Sequence, residues 1–76
     1  MMRVTIVYRV ASDPSWRSSR SMPAVGDPAK FHARLAKYEA EVRAPGFDDD
    51  GPVVDVAVLM GADRYPIDHF APKEAP

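Results

Sequence analysis

The sequence predicts an α/β (α+β two-layer) domain, one helix packed on a three- or four-stranded sheet in the order β-β-α-β-β. Two alternating apolar runs, residues 3–11 (RVTIVYRVA) and 53–60 (VVDVAVLM), and one helical stripe between them support that prediction. In the first run Val4, Ile6, Tyr8 and Val10 share a face, and Arg3, Thr5, Val7 and Arg9 share the other. The second sets Val54, Val56, Val58 and Met60 against Val53, Asp55, Ala57 and Leu59, both faces apolar enough for a central strand.

The helix has the clearest punctuation. Asp27 stands at the N-cap, Pro28 at the first helical position and Pro45-Gly46 past the end, which predicts a helix over 28–43. Phe31, Leu35, Tyr38 and Val42 recur at helical spacing and face the sheet, while Lys30, Arg34, Lys37 and Glu41 keep the same rhythm facing water. The weaker segments are arms of turns. "ASDP" reverses the first strand into residues 15–22, and "MGADR" reverses the second into "YPIDHF", which Pro66 confines to an edge. A helix between two strong strands implies a right-handed crossover joining a parallel central pair. One helix covers one face, so Thr5, Val7, Ala57 and Leu59, with Arg9 and Asp55, are expected to stay open.

Residues 1–71 are read as a single small domain and 72–76 as a disordered C-terminal tail. The 24 large apolar residues suffice for one thin core. With no cysteine, neither disulfide nor thiolate metal site reinforces it, and no apolar stretch approaches the roughly 20 residues of a membrane span. The expected location is the cytoplasm. Seven Arg against three Lys, with scarce Ile, is the usage of a GC-rich genome, as in an actinobacterium or its phage. Charge divides along the chain, +5 over residues 1–38 and −6 over 39–76, although the net is −1. Each half contains a strand, so the halves are expected to neutralise one another internally rather than serve a polyanion.

Candidate chemistry is sparse. "FDDDGP", residues 47–52, invites a calcium loop, but an EF-hand begun at Asp48 needs a glutamate where Leu59 stands, so a solvated loop is expected and no metal. His32 lacks a second ligand one turn on and reads as a surface histidine, while Asp68 and His69 are neighbours that a strand would point apart. No nucleophile, cofactor motif or small-molecule site emerges, and the chain is expected to be non-catalytic.

The stretch "SDPSWRSSRSMP", residues 12–23, holds the only tryptophan between two arginines. Trp16 is expected foremost to pack across the end of the small core. Arg9, Trp16, Arg17 and Arg20 are nevertheless the candidate partner-binding residues, because Trp and Arg are favoured anchors of protein interfaces. The expected function is a small binding or regulatory protein working through protein contacts, as a homodimer or with a larger protein partner. The alternative is a nucleic-acid-binding domain in which the N-terminal arginines hold phosphates and Trp16 stacks on bases, against which the pI near 6.0 argues.

Overall fold

The computed structural model describes residues 2–24 and 26–72. Of the expected tail, all but Pro72 lies outside them. The elements are β1 (Arg3–Val10), β2 (Asp13–Pro23), α1 (Pro28–Val42), β3 (Val53–Met60), β4 (Asp63–Tyr65) and a short 3₁₀ helix, Ile67–Phe70. The β-β-α-β-β order and the two-layer class are as the sequence implies. The four strands lie in the order β2-β1-β3-β4 and every neighbouring pair is antiparallel.

The expected parallel central pair is therefore wrong. The hairpin reverses the chain before the helix begins, so α1 starts from the end of β2 and brings the chain back to the end where β1 finished. β3 then descends beside β1, Thr5 opposite Leu59 and Val10 opposite Val53. The crossover joins β2 to β3, which run the same way but have β1 between them.

Asp27 caps α1 by accepting a 3.0 Å hydrogen bond from the Ala29 amide, and Pro28 follows where no amide partner is needed. The stripe behaves as its spacing requires: Leu35 and Val42 are buried, and Phe31 and Tyr38 pack against the same core. They meet Val4, Ile6, Tyr8, Val10 and Val58, all buried on one sheet face. Alternation fails at the start of β3. A register shift opposite Arg9 and Val10 turns Val53 to the core and leaves Val54 47% exposed, the reverse of the strict two-residue period.

The last expected strand, "YPIDHF", is misplaced: the strand is Asp63–Tyr65, mostly within the expected turn, and Ile67–Phe70 forms the 3₁₀ helix instead. Gly61, with φ +63°, opens a two-residue turn as a type II′ hairpin requires, and only Asp63–Tyr65 pairs with β3. Pro66 has no amide to donate and ends the ladder. The chain then coils so that Ile67 enters the core and Phe70 meets Phe31 edge to face at 5.7 Å. Among the described residues, no helix is long and apolar enough to cross a membrane.

Candidate functional site

Pairing divides the four candidate residues between the two faces of the sheet. Arg17 lies opposite Tyr8 and Arg20 opposite Ile6, on the side of the helix. Arg9 and Trp16 belong to the helix-free side. Trp16 precedes Arg17 on β2 and so faces the other way, while Arg20 returns to the side of Arg17 because Ser19 is bulged between the Ile6–Arg20 and Val7–Ser18 pairs. Nearer the turn, three residues, Pro14 to Trp16, oppose the single Arg9 of β1. Asp13 shapes this irregularity by accepting a 2.9 Å hydrogen bond from the Ser15 amide, and Pro14 has no amide to offer the ladder.

On the helix side both arginines meet carboxylates of the same chain, Arg17 several and Arg20 one. Arg17 Nη1 donates 2.9 Å hydrogen bonds to both Asp48 oxygens and lies 2.8 Å from Asp50 Oδ2, while Nη2 reaches Asp13 at 3.2 Å. Tyr8 donates its hydroxyl to Asp48 Oδ2 at 2.7 Å, and the Asp50 amide donates to Oδ1 at 2.9 Å. The Asp50 amide, the Tyr8 hydroxyl and the Arg17 guanidinium together hold the Asp48 carboxyl down at about 2. The hydrogen bond to Asp48, then burial, raise the Tyr8 pKa, and its carboxylates raise that of Arg17. The acidic loop is solvated as expected at Asp49 and Asp50, but Asp48 is drawn in. The Asp48 side chain is only 11% exposed, and the loop also receives the Ser12 hydroxyl on the Asp50 carbonyl at 2.8 Å. Arg20 lies over the Tyr38 ring at 4.4 Å and reaches Glu41 at 3.4 Å. Four of the six ion pairs among the described residues join the basic half of the chain to the acidic half.

The helix-free face is organised around Trp16. The Arg9 guanidinium lies 5.3 Å from the indole centroid and that of Arg64 4.8 Å from it. Arg9 is also paired with Asp55, its neighbour across the β1-β3 ladder. Trp16 and Arg64 come from opposite edge strands, separated by three strand spacings, about 14 Å. Their side chains therefore meet above β1 and β3, over the Val7–Ala57 pair. Val7 and Ala57 are 4% and 8% exposed although neither belongs to the main core. The expectation of an open face is corrected accordingly: a Trp–Arg strap covers its middle. So is the expectation that Trp16 packs across the core's end, because Trp16 neighbours Arg17 on β2 and points to the face opposite Tyr8 and Arg17.

Known proteins do not extend this description. No family model, curated protein or solved structure matches the chain.

The other candidate groups are dispersed. His69 stacks on Tyr65 with centroids 4.4 Å apart, and neither Asp68 nor His69 is buried. His32 is half-buried rather than on the surface, with Nε2 enclosed and unpartnered among the described residues. No group of three or more His, Asp or Glu among the described residues is placed to hold a metal ion. A hollow beside the loop after α1 is lined by Arg43, Pro45, Phe47, Asp48, Asp49 and Val53, with its best acceptor, Asp48, committed to Arg17 and Tyr8.

Arg64 is the member of the Trp16 cluster that sequence reasoning missed. A two-residue turn at Gly61-Ala62 places Arg64 opposite Leu59, a residue already assigned to the helix-free face, so the turn was the available signal.

Proposed function

We propose that the protein is a non-catalytic binding protein, located in the cytoplasm, that acts through protein–protein contacts at the helix-free face of its sheet. The supporting observation is the meeting of Trp16, Arg9 and Arg64 above that face. Tryptophan and arginine have large contact areas with directed donors, and an anchor already held by its neighbours loses little side-chain freedom on binding. Thr5 and Leu59 are half-buried beside the strap, so apolar contact is available around the charged centre.

Nucleic acid is the less favoured occupant. That reading needs Arg17 and Arg20 for phosphates; Arg17 spends its donors on Asp48, Asp50 and Asp13, and Arg20 already has the Glu41 carboxylate beside it. Two guanidiniums also occupy surface of Trp16 on which a base would stack.

Affinity capture from the source cell with wild-type and Trp16→Ala baits tests the reading, with recovered protein and nucleic acid both measured. The expected result is a protein whose recovery falls in the variant, corresponding to a loss of about 2 kcal/mol or more for an interface anchor. Recovery indifferent to Trp16, or recovery of nucleic acid alone, refutes it.

A further inference from the structure

We propose that the helix-free face takes a carboxylate-bearing protein segment, an extended acidic stretch interspersed with apolar residues, rather than a second copy of this chain. The inference rests on the reading above and specifies the partner's chemistry.

Positive charge is left unspent at particular arginines. Arg9, Arg17, Arg20 and Arg43 each lie against a carboxylate. Arg3, Arg34 and Arg64 have no such partner among the described residues, and two of these three belong to the helix-free face. Arg3 alternates with buried Val4 and so shares the side of Thr5, and Arg64 sits opposite Leu59 on that side. With Arg9 the face presents three guanidiniums against one carboxylate, Asp55, which Arg9 already engages. Arg34 is different. It stands on the outer stripe of α1 with Lys30 and Lys37, charges without an aromatic or large apolar neighbour on that stripe.

A guanidinium lying against an indole keeps in-plane N–H donors for an arriving anion, and a carboxylate matches that fork in a way a single-point acceptor does not. Arg64 is exposed and lies on Trp16 in this manner. A carboxylate bound to Arg64 leaves an apolar side chain two residues along the same extended segment over Leu59 and Thr5. A second copy of the chain fits poorly. Stacked face to face, two copies set Arg3, Arg9 and Arg64 against the same residues, and like charges brought together in an interface oppose association.

Trp16 is the only tryptophan, so its emission reports directly on this face. The probe is a capped peptide repeating glutamate-serine-leucine-serine, which sets glutamate and leucine on one face, titrated against the full chain, with the corresponding lysine peptide and oligothymidylate as the other arms. The expected result is a saturable emission change with the glutamate peptide that weakens about tenfold in Arg64→Gln, the scale of one charge-assisted contact. Arg34→Gln should leave the binding unchanged. Both substitutions are at exposed positions, so folding is retained and circular dichroism verifies it.

No emission change with the glutamate peptide overturns the proposal, as does an equal change with the lysine peptide or equal weakening in both variants. Tighter binding of oligothymidylate assigns the face to nucleic acid. An emission change on concentrating the protein alone, abolished in Arg64→Gln, assigns it to self-association and also overturns the proposal. If the glutamate peptide fails while cellular capture still depends on Trp16, only the acidic chemistry is refuted and the protein-contact reading stands.

Discussion

Tyr8→Phe tests whether the acidic loop holds the first hairpin to the rest of the fold. The substitution removes one hydroxyl from a ring that is 7% exposed and leaves the apolar packing in place. What is lost is a 2.7 Å hydrogen bond to an ionised carboxylate, a class worth about 1.5–3 kcal/mol. The lower end applies, about 1.5 kcal/mol, because Asp48 keeps the Arg17 guanidinium and the Asp50 amide and is not left unpartnered. For a domain of this size that lowers the melting temperature by about 6–12 °C. The control is Tyr38→Phe. Tyr38 is half-buried with its ring under Arg20, and its hydroxyl makes no hydrogen bond among the described residues, so its melting temperature should stay close to wild type. Thermal melts by circular dichroism at neutral pH, repeated toward pH 2, measure both. The gap between wild type and Tyr8→Phe should narrow as Asp48 is protonated. A Tyr8→Phe melt matching that of wild type at neutral pH, or a gap undiminished at pH 2, refutes the assignment.

Leu35→Asp places a charge at a position with no solvent exposure and should abolish the cooperative melt, whereas Lys37→Asp, on the outer stripe, should change it little; equal melts would mean a wrong helical phase. Acid should destabilise the fold through Asp48. Its folded pKa of about 2 lies below the ordinary 3.8, so its contribution is present above pH 4 and lost as pH falls through 2, and in Asp48→Asn the acid limb of a stability–pH curve should flatten. Gly61→Val should destabilise the β3–β4 hairpin by about 1–2 kcal/mol, from positive φ alone, since nothing lies within 4 Å of the added carbon; an unchanged urea midpoint would show that the turn relaxes freely.

Three elements were readable in advance because each depends on neighbours in the chain. The helix of Phe31, Leu35, Tyr38 and Val42 follows from a 3.6-residue period bounded by Asp27 and Pro45-Gly46, and the core face of β1 from a period of two. The β2 arm followed from turn chemistry at residues 11–14. These signals act over one or two turns of backbone, where spacing alone decides which side chains share a face.

Strand direction, bulges and charge pairing depend on segments distant in the chain. Whether β1 and β3 run parallel depends on which strand feeds the helix, and the intervening hairpin made β2 that strand. The bulge at Ser19 could not be counted from β2 alone, since a bulge exists only relative to a partner, yet it sets Arg20, three residues on, on the same face as Arg17. In the same way, the sequence shows arginines early and aspartates late. The tertiary fold decides that Arg17 meets Asp48 at the hairpin tip while Arg64, contributed by the far edge strand, reaches Trp16. Charges separated by dozens of residues choose partners by the distance between folded surfaces, because attraction falls with separation and is screened beyond about 10 Å.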